Sequence, residues 1–433
     1  MSDLINQIPS IDAEKLIYPS GDGCEVYLLK NVKFEYFISY CSKLNESGFD
    51  CVNKNKMENN FFEFYKKGNI AVCVGYYDCD KTIRIVVDEK GSFPPFNPKN
   101  FNVKTDSTFW QFEVDHSLID CGMCYILKLS SGAFFIIDSP HTYSINDCER
   151  IHKFLRERTP QNEKIHIAGW FFSHGHEDHI AQFISFLNFY SEDTVIDALY
   201  FNFVSMDHRD GGDWMESHRG YYKLFFDALN NHPEIPVIRL HTGETFYLDN
   251  LKVDVLCSHE DVFPNDNSNY NDSSVVIMLT VGGTKILIPG DAGHEESYIL
   301  EARYPDYLKS DIVQSAHHGH FGTTENFYRL VNARVVLFPV TQIMFDGDFD
   351  RYPENKVAID LADEYHIASN GTVEIPLPYK KESLKLYPDE TFESFKGVND
   401  LWSYSYTAEY KEKLYKEYLA RGGKPLDEYK DGF

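Results

Sequence analysis

The sequence predicts an α/β fold, with strands alternating with helices over most of its length, and three observations carry that prediction. Short apolar runs recur from Phe109 onward, separated by segments with helical spacing. Turn residues punctuate them: Ser130-Ser131-Gly132 joins residues 124–129 to 133–137, and Gly282-Gly283 joins 274–281 to 285–289. The composition is globular, 43% hydrophobic and 15% aromatic, and 29 Tyr with 33 Phe supply a large core.

In chain order, residues 1–108 read as a small α+β accessory domain. Residues 32–44 have helical spacing, with Phe34, Phe37, Ile38 and Cys41 on one side and Gly48 as the stop. Strands follow at 60–65, 70–77 and 82–87, with Lys67-Gly68-Asn69 and Asp78-Cys79-Asp80 as their turns. No histidine or acid cluster appears there, so the unit is expected to shape a substrate or to form a homodimer. Residues 91–99, with Pro94, Pro95 and Pro98, make the linker.

The second domain is 109–390. Helices are expected at 145–158, at 179–190 with Ile180, Phe183, Ile184 and Leu187 inward, and at 221–229. Strands are expected at 165–172, 198–203, 237–240, 252–257, 274–281, 285–289, 311–315 and 334–339. Two βαβ-like halves around a central site account for this order. The tail, 391–433, is aromatic and charged, and an amphipathic helix at 406–420 would pack on the body or on a second subunit.

Net charge is −26, which argues against a basic track for duplex nucleic acid. It leaves room for a small phosphorylated substrate, because bound metal ions reverse the local field. The first 20 residues lack the apolar core of a signal peptide, and no run approaches the roughly 20 apolar residues that span a bilayer. A cytoplasmic protein with no membrane partner is expected. Nine scattered cysteines fit poorly with a disulfide framework, and the lone pair Cys121 and Cys124 reads as ordinary thiols.

The chemistry is concentrated in Ser173-His174-Gly175-His176-Glu177-Asp178-His179, directly after an apolar strand. A strand ending in a tight loop turns alternate side chains to one point, so His174 and His176 can share one ion, and Asp178 with His179 can hold a second. Two later segments repeat the design. Ile286 to Ile288 leads through Pro289-Gly290 to Asp291, a carboxylate able to bridge two ions, although alone it reads equally as a helix cap. Ile312 to Ser315 leads to His317-His318-Gly319-His320.

With these residues the chain resembles the metallo-β-lactamase superfamily. The likeness rests on His174-Gly175-His176-Glu177-Asp178-His179, which fits the pattern H-x-H-x-D-H, and on Gly290-Asp291 and His317-His318-Gly319 in the same order. It covers roughly residues 109 to 390. Asn271-Asp272-Ser273-Ser274 adds a similarity to the hydrolase domain of bacterial DNA-uptake channel proteins and to phosphorylcholine esterases. The resemblance implies a four-layer αββα sandwich. It implies His174 and His176 on the first ion, Asp178 and His179 on the second, and Asp291 between them. One of His317 and His318 would complete the second site. Many members place a further histidine at a third motif. The nearest candidate here is His259, which reads equally as a surface loop residue. Asp138, at another strand end, is expected to orient a metal-bound histidine.

The chemistry expected is hydrolysis by a bridging hydroxide between two zinc ions, with manganese or iron also acceptable to these ligands. Asp178 belongs to the catalytic set, and His320, the spare member of the His317/His318 pair or a nearby tyrosine would protonate the leaving group. A phosphodiester or related phosphoester is the first substrate class. A lactone, thioester or amide is the second, an iron-dependent non-hydrolytic reaction the third, and a binding module with a structural metal the fourth.

Overall fold

The computed structural model describes residues 4–21, 23–98, 101, 106–114, 121–141, 147–205, 214–265 and 269–387. The expected tail helix at 406–420 lies outside these residues. Among the described residues the strands form three sheets, of six, nine and seven strands.

The N-terminal sheet is antiparallel. Its spatial order is Leu16–Gly21, Cys24–Leu29, Thr82–Asp88, Ile70–Tyr77, Asn60–Lys67, Asp50–Met57. The first two and the last are absent from the sequence reading. Asp50–Met57 is a polar edge strand with one face open to water, so it carries no apolar run to find. The helix Phe34–Glu46 covers one face, burying Phe37, Tyr40, Cys41 and Leu44. Ile38, expected on that side, is 47% exposed, because it stands a sixth of a turn or more off the stripe that the other four define. The opposite face packs Val26, Phe62, Phe64 and Val86 against Leu256, Val262, Phe263 and Tyr304. The accessory unit thus shares a core with the second domain. Phe93 and Phe96 of the expected linker pack on Phe64, with ring centroids 5.9 and 5.3 Å away.

The other two sheets lie face to face. The nine-stranded sheet is built around Ile165–Phe171, which runs parallel to both Phe134–Ile137 and Leu199–Phe201. It begins at Ser107–Gln111, two residues ahead of the expected boundary. The seven-stranded sheet pairs Thr284–Ile288 with Ile312–Gln314, again parallel, and Ile312–Gln314 with Val335–Phe338. Inward residues of both sheets, among them Leu127, Phe135, Ile137, Val255, Ile277 and Ile286, form one core between them. The outer face of the first sheet is covered by Asp147–Glu157, Glu177–Tyr190 and Trp214–Asn230. The outer face of the second is covered by His294–Arg303, Glu325–Val331 and Pro353–Leu361, together with the N-terminal sheet. The result is the helix–sheet–sheet–helix sandwich that the motifs implied.

Trp170 ties this packing to the site. It is wholly buried, its ring edge-on to Phe183 at 4.8 Å and Phe186 at 5.2 Å. Its Nε1–H donates to the Asp138 carbonyl at 3.0 Å. Truncating such a side chain costs about 3–5 kcal/mol. No helix among the described residues is long and apolar enough to cross a membrane.

Candidate metal centre

Four strand ends meet at one rim of the sandwich. After Phe134–Ile137 the backbone turns through Asp138, at φ 53°. Its carboxylate accepts from Ser173 N and Ser173 Oγ, both at 2.7 Å, which fixes the turn after Ile165–Phe171. The helix Glu177–Tyr190 starts at once, so Glu177 and Asp178 sit in its first turn, where the helix dipole favours anions. On the second sheet, Gly290 has φ 61°, and a Cβ there would lie 2.8 Å from Ser173 Cβ. Only glycine lets the two loops approach this closely. Gln314 clamps Gly290 through two hydrogen bonds of 2.8 Å, and Asp291 N donates to Ser274 Oγ at 3.0 Å. His317 and His318 both adopt left-handed backbone, at φ 49° and 58°.

These turns gather two groups of ligating atoms. Asp178, His179, Asp291 and His318 form one, and His174, His176 and Asp291 the other; within each, the ligating atoms lie within 4.8 Å of one another. Asp291 is common to both. Nε2 of His318 is 3.1 Å from Asp178 Oδ2 and 3.4 Å from Asp291 Oδ2. Nε2 of His179 is 3.3 Å from Asp291 Oδ1, and Nε2 of His174 is 3.8 Å from Asp291 Oδ2.

The hydrogen bonds settle which ring nitrogens face inward. His179 Nδ1–H donates to Asp138 Oδ2 at 2.7 Å, and His318 Nδ1–H donates to the Pro339 carbonyl at 2.7 Å. In the neutral rings both Nε2 atoms then present lone pairs, and they face each other at 3.2 Å among carboxylates. Nε2 of His174 is buried with no hydrogen-bond partner. Lone pairs and anions converging in a dry pocket are stable only around positive charge. A divalent cation fits this donor set.

The electrostatics agree. For Asp291 and Asp178 burial works against ionisation, but the imidazoles, His179 foremost, hold both carboxyls well below their usual range. Burial also opposes charge on His318, yet Asp291 and Asp178 outweigh it and raise the ring to about 10. His179 is raised for the same reason, whereas His174 is driven down by burial and by His179. In the absence of an ion, protons are held where a cation would sit.

The structure therefore brings together His174, His176, Asp178, His179, Asp291 and His318, with Asp138 behind His179. Of the two adjacent histidines it is His318 that joins the cluster. His317 stands outside both groups. Its Nδ1–H donates to the Phe321 carbonyl at 3.4 Å, and its Nε2 accepts from Asn271 Nδ2 at 3.3 Å. His320 also lies outside, its Nδ1 on Asp348 Oδ2 at 2.9 Å and its ring 5.6 Å from that of His317.

His259 is a correction. It opens the short helix His259–Val262 and turns toward the N-terminal sheet. Its Nε2 contacts Asn202 Oδ1 at 3.1 Å, and its ring lies 6.1 Å from Tyr18 and 5.9 Å from Phe263. It belongs to neither ligand group.

Several neighbours escaped the sequence. Cys121 Sγ–H donates to Asp178 Oδ2 at 3.3 Å, and Tyr270 stacks on His176 with centroids 4.8 Å apart. Asp348, at the end of Gln342–Asp348, carries no sequence signal. Asn271, by contrast, opens the run Asn271-Asp272-Ser273-Ser274 that the sequence did single out, and its Oδ1 is buried without a hydrogen-bond partner.

No protein-family model matches the sequence, and no curated protein does. Among solved structures, the chain is similar to a protein of Parabacteroides distasonis described as a metal-dependent hydrolase, at 11% identity, covering 71% of this chain and 98% of that one, with a TM-score of 0.30. It is similar to a metallo-β-lactamase variant of Cronobacter sakazakii at 10% identity, covering 47% and 75%, with a TM-score of 0.29. It is also similar to a variant of the CmlA β-hydroxylase at 13% identity, covering 63% and 54%, with a TM-score of 0.35.

Proposed function

We propose that the protein is a metal-dependent hydrolase with a dinuclear site, acting on a phosphodiester or related phosphoester. The observation that carries this is one buried carboxylate, Asp291, shared by two sets of inward-facing imidazoles and carboxylates. His174, His176 and Asp291 would hold the first ion, and Asp178, His179, His318 and Asp291 the second. Zinc is the default for such ligands in hydrolysis, with manganese or iron also compatible. When bound, the ions supply a water of lowered pKa and polarise the ester oxygen.

The protein's own part is orientation. Asp138 holds the proton of His179 on Nδ1 and fixes Ser173, so the ring cannot rotate out of the cluster. Pro339 does the same for His318. His320 lies outside the ligand groups, with Nδ1 on Asp348 and its ring 5.6 Å from that of His317, and is the candidate proton donor to the leaving oxygen. The phosphoester class is supported by the motif resemblance to phosphoester-cleaving proteins.

The test is the purified full chain, loaded with zinc or manganese and assayed on an aryl phosphodiester beside a lactone, a thioester and an amide. Metal-dependent turnover of the phosphodiester, lost in His176→Ala, supports the reading. A metal-free, inert protein ends it, and turnover of the other esters alone moves the substrate class.

A further inference from the structure

Among the described residues the ligand cluster is deeply buried. The side chains of His174 and His179 are fully buried, and that of Asp291 is 2% exposed. Along the following loop the exposure climbs: 21% for the side chain of His317, 33% for that of His320 and 53% for Phe321. Among the described residues an exposed flank next to the cluster therefore runs along this loop.

A continuous series of rings leads outward along that flank. His317 meets His320 at 5.6 Å, His320 meets Tyr352 at 5.0 Å, and Tyr352 meets Phe321 at 6.1 Å between centroids. Phe321 lies 4.9 Å from His294 at an interplanar angle of 33°, and His294 lies 6.4 Å from Tyr298. The two outermost carbocyclic rings, Phe321 and Tyr298, are each more than half exposed. Exposing a phenyl ring forgoes about 1.5–3 kcal/mol of burial. Phe321 also sits at φ 51°, a conformation that bulky residues rarely adopt and that costs about 1–3 kcal/mol. Its carbonyl accepts the Nδ1–H of His317, so the strained turn ties the exposed ring directly to the border of the ligand cluster.

Resting on the hydrolase reading above, we infer that this ring series is a stacking subsite for a flat, neutral aromatic group of the substrate, as in the base of a nucleoside phosphodiester. The guanidinium of Arg351 already lies over Tyr352 at 5.4 Å, so the cation position on that ring is taken, and the carboxylate of Asp348 beside it is engaged by His320 at 2.9 Å. A neutral base stacks on the exposed rings without displacing either charge. The phosphate of the same molecule then reaches back toward His317 and the cluster.

The experiment compares two nonchromogenic diesters on the metal-loaded full chain, followed by phosphorus NMR: the methyl ester of adenosine 5′-phosphate and that of glycerol phosphate. The adenosine ester is expected to show a kcat/KM higher by about tenfold, the scale of one base–aromatic stack. In Phe321→Asn, which tolerates the left-handed turn but lacks the ring, that advantage disappears through KM, so that the adenosine and glycerol esters are turned over alike. Phe321→Tyr retains it. Equal rates in the unaltered chain, an advantage that survives Phe321→Asn, or a choline ester that outruns adenosine would overturn the subsite. Saturation-transfer NMR of adenosine monophosphate on the same protein reads stacking without turnover. Saturation transfer to the adenine protons that vanishes in Phe321→Asn, with no hydrolysis of either ester, keeps the subsite and sinks the hydrolase reading; no transfer in the unaltered chain sinks the subsite.

Discussion

Two buried polar clusters in this molecule use nearly the same residue types and come to opposite ends. At the junction of the N-terminal sheet with the sandwich, Arg84 pairs with Asp261 at 2.7 Å, and Arg303 pairs with the other oxygen of Asp261 at 2.7 Å. Arg239 meets Asp88 at 3.2 Å, and His241 Nδ1 meets Glu260 at 2.8 Å. Thr242 and Tyr77 donate further hydrogen bonds to Asp261. This cluster carries its own cations. At the rim, the ion pairs of Asp138, Asp178 and Asp291 are with imidazoles alone among the described residues. Two Nε2 atoms there face each other with both Nδ1 positions already committed. The lesson is one of charge balance. A buried histidine–carboxylate cluster that includes guanidinium closes on itself and serves the fold; one without it is built to receive a cation.

The difference is open to attack, beginning with the largest effect. Asp291→Ala removes the carboxylate common to both ligand groups. Metal content should collapse and hydrolysis fall by more than the roughly 10- to 100-fold that loss of a supporting residue brings, read by elemental analysis and kcat/KM. Arg84→Met strikes the other cluster. It should cost about 3–5 kcal/mol in denaturant unfolding, because part of a buried carboxylate set loses its counter-ion, and leave metal content unchanged. If Arg84→Met empties the metal site, the two clusters are not independent.

Asp138→Asn keeps the shape behind His179 but weakens its acceptor. Metal affinity should drop about 10- to 100-fold while the melting temperature of the apoprotein moves little. An unchanged affinity would remove Asp138 from the account. Smaller again is a pH effect. Burial opposes charge on His241, but Glu260 and Asp88 raise it to about 10, against a free value of 6.5; burial raises Glu244 to about 8, against 4.5. Both groups hold a proton more tightly in the folded chain. Their stabilisation is therefore complete below the free values and is lost as pH rises through 8 and then 10. The metal-loaded protein should melt a few degrees lower at pH 10 than at pH 6.5, and less so in His241→Gln. A flat profile would contradict the assignment. Smallest on the metal side is His259→Ala, which should leave metal content and activity as they were.

How much of this was legible in the sequence follows the same physics. The cluster from His174 to His179 announces itself because its ligands are local, and Asp291 and His318 stand where apolar strands stop. His259 misled because it occupies the same kind of position, at the end of Leu251–Cys257. The residues that claim it, Asn202 and Tyr18, are distant in sequence and leave no local mark. The choice of His318 over His317 turned on the Pro339 and Phe321 carbonyls, which spacing does not reveal. Polar edge strands such as Asp50–Met57 were invisible because their pattern comes from a neighbour rather than from a buried face of their own.

The most direct test is anomalous scattering at the metal edge from crystals of the full chain grown with zinc. Two peaks, about 3.5–4 Å apart on either side of Asp291, with none at His241 and Glu260, are what a cation-receiving rim and a self-neutralised junction require. A rim without a peak, or a peak at the junction instead, would contradict the account.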